Sequence, residues 1–285
     1  MPRVRANQCT RAALTRSRDG RLSVPWSKVN EPAPFEQRAR SFGSIAENYA
    51  RFRPAPPLEA VEWVLGNSPA THTTVLDLGA GTGALTGRLV SQVPRVVAAE
   101  PDPEMRAVLH ENLAGIPLVA ATAEALPFES GAFDAVVVSS AWHWMDPQLA
   151  PFEVGRVLES GGVLGLLWNG ADRSDDWTES LLGPGLPRAS SDPRPSSAER
   201  HAPEFPEGAP FHDLESRTVR WRMSFTVDEI VGLMGTYSRV FTLPAQAREE
   251  MLAKARSDAE QRVAATGEST IELPMRCQCW RITRD

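Results

Sequence analysis

The residues best suited to chemistry form a glycine-rich stretch with one acid just ahead of it. Asp77 is followed at alternate positions by three glycines, Gly79, Gly81 and Gly83. Glycine lets a backbone turn sharply and come close to a ligand. An apolar run (74–78) precedes the glycines, and residues 84–90 have a helical pattern whose first free N–H groups would point back at the loop. A strand, a glycine loop and a helix start in this order predict a nucleotide site.

Asp77 bears on which nucleotide could bind. The glycines also fit the looser loop of dinucleotide-binding proteins. A carboxylate beside that loop repels a diphosphate, however, and attracts the ammonium group of an amino-acid tail. S-adenosylmethionine carries such a tail and a sulfonium, and it has no phosphate. Asp77 could also fasten the loop by accepting hydrogen bonds from backbone N–H groups, and the two roles are compatible.

A second acid, Glu100, ends the next buried run (95–100). Ligands of doubly wound sheets bind at the carboxyl ends of the strands, where a carboxylate can accept both hydroxyls of an adenosine ribose. A nicotinamide dehydrogenase places an acid at the same point, so Glu100 does not separate the two cofactors. The alternative is a solvated acid that caps the helix starting at Pro103.

Strand and helix patterns then alternate along the chain. Apolar runs predict strands over 95–100, 117–121, 133–140 and 161–168, and helical patterns cover 84–90, 103–109 and 148–158. Alternation of this kind predicts an α/β fold, a doubly wound and mostly parallel sheet with helices on both faces. Beyond residue 210, we expect a strand over 217–225, a helix over 227–234 that begins with a Thr226–Glu229 capping box, a helix over 244–256 and a last strand over 270–282.

Composition divides the chain into five stretches. Residues 1–30 are rich in arginine and poor in acids, and we expect a disordered basic extension there. Residues 31–70 hold two short helices (42–52 and 58–65) that would cover the site, and residues 71–170 form the nucleotide-binding core. Residues 171–215 are rich in proline and serine and are expected to form a mobile insertion. Residues 216–285 would complete the sheet and an acceptor pocket.

Overall composition is that of an ordinary globular protein. The net charge of −6 gives no general attraction to a polyanion. No apolar run reaches the roughly 20 residues of a membrane-spanning helix. Three cysteines make no disulfide framework, so we expect a cytoplasmic protein, and Cys277 and Cys279 are better explained by packing than by a metal site. Arginine outnumbers lysine 28 to 2, a bias typical of GC-rich bacterial genomes.

Several motifs together resemble the class I S-adenosylmethionine-dependent methyltransferases. They are the loop at 75–83 with Asp77, the acid Glu100, and the stretches 123–128, 133–137 and 156–162. Within that family, 142–146 and 167–169 resemble the branch that contains trans-aconitate-type and other small-molecule enzymes. The resemblance covers residues 40–170 well and implies a seven-stranded sheet whose antiparallel last strand is inserted beside the fifth.

Carried over residue by residue, the resemblance implies a set of S-adenosylmethionine contacts and no metal. The set is Asp77, Gly79, Ala80, Gly81, Gly83, Glu100, Pro101, Thr122, Ala123, Glu124 and Ser139. Asp77 would hold the methionine end and Glu100 the ribose. Thr122 departs from the commonest pattern, which has an aspartate there. Its uncharged hydroxyl should hold the adenine amine less strongly.

Methyl transfer mainly requires that the acceptor be aligned behind an already activated carbon, and a base is needed only for a protonated acceptor. His143 follows the fourth strand and is the candidate base, against a plain packing role between two indoles. The candidate acceptor contacts are Tyr49, Arg53, Trp142, Trp144, Trp168 and Asn169.

We therefore expect O-methylation of a small molecule by a monomer or homodimer without nucleic-acid or membrane partners. A nucleic-acid amino-methyltransferase should have an Asn/Asp-Pro-Pro-aromatic tetrad where this chain has residues 139–142 (Ser-Ser-Ala-Trp). Two alternatives remain open, an NAD(P)-dependent oxidoreductase and a cofactor-binding accessory protein without activity.

Overall fold

The computed structural model describes residues 15–16, 22–23, 43, 45–66, 73–173, 176–182 and 203–285. Residues 1–40 and 41–285 form two separate units. In the first, strands β1 (Thr15–Arg16) and β2 (Leu22–Ser23) pair antiparallel. The rest of the expected extension 1–30, and residues 174–175 and 183–202 of the expected insertion, lie outside the described residues. The five proposed stretches therefore stay a prediction.

The second unit is built on a seven-stranded sheet. Its strands are β3 (Thr74–Leu78), β4 (Arg95–Ala99), β5 (Leu118–Val119), β6 (Phe133–Ser139), β7 (Leu158–Ala171), β8 (Phe211–Phe225) and β9 (Ile271–Arg284). Their order is β5-β4-β3-β6-β7-β9-β8, and β9 is antiparallel to both of its neighbours. The predicted doubly wound sheet, with its antiparallel last strand beside the fifth strand of the core, is confirmed.

Nine α-helices accompany these strands in the described part of the unit. They are α1 (Ala46–Phe52), α2 (Leu58–Val64), α3 (Thr86–Leu89), α4 (Pro103–Asn112), α5 (Ala150–Val157), α6 (Asp176–Leu182), α7 (Val227–Gly235), α8 (Ser238–Phe241) and α9 (Ala245–Thr266). A 3-10 turn covers Trp142–Trp144. The predicted capping box of α7 is present, because the Thr226 hydroxyl accepts from the Glu229 backbone while the Glu229 carboxylate accepts from the Thr226 backbone.

The sheet is buried on both faces, which explains why its central strands are continuously apolar. Leu76 and Leu78 face a core cluster that includes α5, whereas Val75 faces a second cluster that includes α2 and α3. This alternation is the period of two expected of a strand. Cys277 and Cys279 lie in the second cluster with no exposed surface, so the packing role predicted for them is confirmed.

Helix boundaries differ from the sequence predictions at several places. Helix α3 begins at Thr86 rather than at residue 84, because Gly83 has a φ of +90° and its N–H bonds to the Ala80 carbonyl in a turn. Helix α5 begins at Ala150 rather than at residue 148, since the Asp146 carboxylate accepts from two backbone N–H groups in the intervening turn. Helix α9 extends to Thr266, ten residues beyond its predicted end, and is followed by a left-handed Gly267.

Candidate functional site

Gly79, Gly81 and Gly83, which follow β3, all have a positive φ but differ in their surroundings. A Cβ on Gly79 would lie 2.7 Å from the Ala141 Cβ, and one on Gly83 would lie 3.0 Å from the Leu109 side chain. Both glycines therefore allow close packing within the protein. A Cβ on Gly81 would meet nothing within 4 Å. Gly81 is therefore the glycine with open space beside it, which a ligand could occupy.

Asp77 is fully buried at the end of β3, directly before the loop. Its Oδ2 accepts a hydrogen bond of 2.6 Å from the Thr86 hydroxyl at the start of α3. Its Oδ1 is buried and has no hydrogen-bond partner among the described residues. Burial raises the pKa of this carboxyl to about 7, against an ordinary 3.8. One oxygen thus fastens the loop, and the other is left for a donor or a cation that the protein itself does not supply.

Glu100 follows β4 and braces the same loop from the side. Its Oε2 accepts from the Gly81 N–H at 2.8 Å and its Oε1 from the Asp102 N–H at 2.9 Å. Asp102 in turn caps α4 by accepting from the N–H groups of Glu104 and Met105. Burial raises the pKa of Glu100. Glu100 is thus buried rather than solvated, and it supports the capping residue Asp102 instead of capping α4 itself. Its carboxylate also contacts the backbone of Gly81.

A pocket lies above the carboxyl ends of β3, β6 and β7. Its lining includes eight predicted site residues: Tyr49, Arg53, Asp77, Gly79, Ala80, Gly81, Ser139 and Asn169. It also includes residues that the sequence analysis did not assign to the site: Pro54, Pro56, Thr82, Ala84, Leu85 and Ser140. The predicted cofactor loop and part of the predicted acceptor set thus share one cavity.

Ser140 and Thr86 are the most informative of the residues that sequence reasoning missed. Ser140 has a φ of +56°, which is unusual for a residue other than glycine, and its N–H donates to the Leu167 carbonyl at 2.7 Å. A strained residue at the end of a parallel strand often has a functional reason. Thr86 could have been suspected, since a hydroxyl at the start of a helix can reach back to an acid in the preceding strand.

The pocket is closed on one side by the segment that follows α1. The Asn169 side-chain amide donates to the carbonyls of Pro54 and Ala55, at 2.9 and 3.3 Å. The Asn169 Oδ1 accepts from the Trp221 indole at 3.3 Å. Asn169 therefore ties the end of β7 to the α1–α2 connection as well as lining the cavity, so part of its predicted role is architectural.

The predicted aromatic set lies beside this cavity and does not line it. His143 is exposed, with its ring centroid 4.7 Å from that of Trp144 and 6.5 Å from that of Trp168. Trp168 packs edge-on against Trp280 at 4.9 Å, and the Trp142 ring lies 6.2 Å from that of Phe205. Packing against other rings accounts for the positions of these indoles. The His143 ring is exposed and is accessible to a bound molecule.

The candidate adenine contacts follow β4 and β5 rather than lining the cavity. Pro101 and Thr122 are exposed, whereas Ala123 is buried. The Glu124 carboxylate accepts from the Asp146 N–H at 2.7 Å, which links this loop to the one that carries His143. Because β5 pairs with β4, the loop after β5 lies at the same edge of the sheet as Glu100.

An ion pair on α5, between Arg156 and Glu153, binds the loop that follows β5. Arg156 donates to the carbonyls of Phe128 and Leu126, at 2.7 and 3.0 Å. Its partner Glu153 accepts from the Leu126 N–H at 2.8 Å. Arg156 and Glu153 therefore both help to fix the position of the loop that follows β5.

Two negative findings apply to the part of the chain that the structure describes. It contains no cluster of three or more side chains that could ligate a metal ion. It also contains no helix with the length and apolar character that crossing a bilayer requires.

Fold and site together define a class of protein. A sheet of this order, with a glycine loop after its first core strand and an acid after the second, is a Rossmann-like nucleotide-binding fold. Residues 76–166 match the model of a methyltransferase domain.

Sequence relatives and a solved structure show which family of this fold the chain resembles. An uncharacterized methyltransferase of Mycobacterium tuberculosis is 40% identical over 246 residues, or 85% of this chain and 95% of the relative. A malonyl-[acyl-carrier protein] O-methyltransferase of Herminiimonas arsenicoxydans is 38% identical over 146 residues, half of this chain and 49% of the relative. A candidate type II methyltransferase of Anaeromyxobacter dehalogenans superposes with a TM-score of 0.62 at 24% identity, over 82% of this chain and 98% of that structure. The chain therefore belongs to the class I S-adenosylmethionine-dependent methyltransferase family.

Proposed function

We propose that this protein transfers the methyl group of S-adenosylmethionine to an oxygen atom of a small molecule. The observation that carries the proposal is the buried Asp77 Oδ1, which has no hydrogen-bond partner among the described residues and belongs to a residue that lines the cavity. A carboxylate at this point attracts an ammonium group and repels a diphosphate. Family membership agrees with this preference and argues against the oxidoreductase alternative.

The residues present fit the cofactor. Asp77 would hold its ammonium group, and the open face of Gly81 allows a ligand to approach the backbone closely. Glu100 would hold the ribose hydroxyls, with Pro101, Thr122 and Ala123 at the adenine. The Gly81 N–H now bonded to Glu100 shows that this carboxylate is already held against the loop, and a held side chain loses little freedom on binding.

Bound S-adenosylmethionine supplies an activated methyl group, so the chain itself has to orient the acceptor and exclude water. Ser139 and Asn169 line the cavity at the ends of β6 and β7, where the acceptor is expected. His143 could take a proton from a hydroxyl acceptor, whereas a carboxylate acceptor requires no base. The similarity to an O-methyltransferase over half of the chain supports oxygen as the target atom.

The test is to incubate the purified protein with S-adenosylmethionine labelled in the methyl group and a bacterial metabolite extract. We expect label in the small-molecule fraction and none in protein or nucleic acid. Treatment with alkali then separates the oxygen acceptors, because methyl esters release labelled methanol and methyl ethers do not. Boiled protein is the control for spontaneous transfer.

Three outcomes would contradict different parts of the proposal. Failure to bind S-adenosylmethionine would exclude the cofactor. Tight binding without transfer to any fraction would favour the accessory protein. Label that stays on nitrogen or carbon atoms of the products, identified by mass spectrometry, would exclude O-methylation while leaving the methyltransferase assignment intact.

A further inference from the structure

Arg53 has an unusual environment at the wall of the cavity, just after the end of α1. Its guanidinium carbon lies 4.2 Å from the ring centroid of Tyr237 and 5.4 Å from that of Tyr49. Its Nη2 donates to the Thr236 carbonyl at 3.2 Å. These contacts restrict the guanidinium and leave other N–H groups of its fork for a partner.

The partner that Arg53 needs is absent from the described residues. Its Nε is buried and has no hydrogen bond, and no carboxylate lies within ion-pair distance of the guanidinium in the described part of the chain. Arg156 and Arg173 pair with Glu153 and Glu179, whereas Arg88 and Arg284 also have a buried Nε without a hydrogen bond. Of the three arginines with such an Nε, Arg53 is the one on the described lining of the cavity. A buried N–H without an acceptor is unfavourable, and an anionic ligand in the cavity would supply that acceptor to the Arg53 guanidinium.

The position of Arg53 indicates which ligand this is. The carbonyl of Pro54, the next residue, accepts from Asn169 near the end of β7. The Arg53 side chain donates to the carbonyl of Thr236, directly after α7. Asp77 and the glycine loop belong to β3, at the cofactor side of the same cavity. The guanidinium therefore lies against Thr236 and Tyr237, which follow α7 and contribute nothing to the glycine loop.

The chemistry of the cavity favours a carboxylate over a phosphate. A planar guanidinium matches both groups. However, Arg53 is the only basic residue on the described lining, and Asp77 places a carboxyl in the same cavity. One guanidinium can balance a single negative charge, whereas a dianion would remain partly uncompensated and be repelled by Asp77.

Given the methyl transfer proposed above, we propose that Arg53 anchors a carboxylate of the methyl acceptor. The acceptor is then a small organic acid, and Tyr49 and Tyr237 hold the guanidinium in the plane that its carboxylate requires. S-adenosylmethionine also carries a carboxylate, so the experiment has to separate the two sources.

The experiment compares the wild type with Arg53→Gln, Arg53→Lys and the control Arg51→Gln. Arg51 is exposed in α1, two residues before Arg53, and contacts Phe52. A metabolite extract is divided by anion exchange into acidic and non-acidic fractions, and methyl transfer to each is measured at saturating labelled cofactor. Calorimetry gives the affinities of S-adenosylmethionine and of its decarboxylated analogue.

We expect the wild type to transfer label to the acidic fraction. At low acceptor concentration, Arg53→Gln should reduce this transfer at least tenfold. Arg53→Lys should restore part of the transfer, Arg51→Gln should match the wild type, and S-adenosylmethionine affinity should change less than twofold in all variants. Label confined to the non-acidic fraction, or in neither fraction, overturns the inference.

A second result would also overturn it, by assigning Arg53 to the cofactor. In that case, Arg53→Gln weakens S-adenosylmethionine binding and leaves the decarboxylated analogue unchanged. If the wild type binds neither compound, the proposed function itself fails, and that failure is visible before any variant is compared.

Discussion

At the scale of single residues, Asp77 links a structural role to a binding role. Its Oδ2 is occupied by Thr86, and its Oδ1 lies buried without a partner among the described residues. Burial disfavours the ionised form of this carboxyl, and a cationic ligand at Oδ1 would favour it. Cofactor binding and protonation of this group should therefore be coupled.

The first prediction concerns the pH dependence of cofactor affinity. Burial raises the Asp77 pKa to about 7, so below that pH the free protein holds a neutral carboxyl. Because an ammonium group prefers the ionised form, affinity should fall by up to about tenfold per pH unit below about pH 7. It should also fall at high pH, where the α-amino group of the ligand loses its proton at about pH 8.

Calorimetry between pH 5.5 and 8.5 checks this profile. Asp77→Asn should bind S-adenosylmethionine weakly at every pH and lack the fall below pH 7. A wild-type affinity that is constant from pH 5.5 to 7.5 would show that Asp77 does not carry the interaction.

The second prediction is that Asp77→Asn stabilises the ligand-free protein at pH 8. A carboxyl whose pKa is raised on folding contributes stability below its unfolded pKa of about 4, and this stability is lost as the pH rises through about 7. Asparagine has no charge to bury, so the free energy of unfolding at pH 8 should rise by about 1–2 kcal/mol. Urea unfolding at pH 8 and pH 4 measures it, and an equal or lower stability of the variant at pH 8 would contradict the burial argument.

The third prediction separates the two possible roles of His143. The ring is exposed and packs against Trp144, so His143→Ala should leave cofactor affinity unchanged. Turnover of a hydroxyl acceptor should fall about 10²–10⁴-fold, whereas turnover of a carboxylate acceptor should be nearly unaffected. His143→Gln is the control for ring packing. A large loss with an ionised carboxylate acceptor would mean that His143 positions the acceptor instead.

At the scale of elements, the periodic patterns of the sequence predict most helices and strands. They do not predict the contacts between distant segments. The Thr226–Glu229 capping box and the β3–loop–α3 order depend on neighbours within a few residues, and both are confirmed. The bond from Arg53 to Thr236 spans 183 positions, and the bond from Asn169 to Pro54 spans 115. No local pattern encodes such contacts, so the architecture of the cavity wall could not be predicted.

Helix termini show the same limit on a smaller scale. The predicted start of α3 was two residues early, because the left-handed Gly83 and its turn postpone regular hydrogen bonding to Thr86. The strained backbone of Ser140 was also not predictable, since serine itself gives no signal for a positive φ.

The fourth prediction concerns α7, which directly precedes Thr236 and Tyr237, two contacts of Arg53. Thr226→Ala removes the hydroxyl that accepts from the Glu229 N–H, and the free energy of unfolding should fall by about 1 kcal/mol. Urea unfolding checks the value, with Ser224→Ala on the exposed part of β8 as the control. An unchanged stability would mean that α7 does not depend on its cap.

At the scale of the whole molecule, β9 joins the methyltransferase core to the C-terminal elements. It lies between β7 and β8 and packs side chains into the cores on both faces of the sheet. The family resemblance predicted this insertion, whereas the alternating pattern of residues 270–282 indicated only a strand. Sheet order depends on pairing between distant segments, which a single sequence does not display.

The fifth prediction tests how strongly the molecule depends on that strand. Trp280 is 4% exposed in β9 and packs edge-on against Trp168. Trp280→Ala should lower the free energy of unfolding by about 3–5 kcal/mol, because it leaves a large cavity in one core. Trp280→Phe should cost less than half of that. A loss below about 1 kcal/mol for the alanine variant would show that β9 contributes little to that core.

The central claim is that a carboxylate beside a bare glycine loop selects a cationic amino-acid nucleoside over a dinucleotide. Calorimetry at pH 7.5 tests it, with S-adenosylmethionine and NADH titrated separately into the wild type, Asp77→Asn and the surface control Asp213→Asn. We predict binding of S-adenosylmethionine alone, weakened at least tenfold by Asp77→Asn and unchanged by Asp213→Asn. Binding of NADH in place of S-adenosylmethionine, or an equal affinity in Asp77→Asn, would contradict the account.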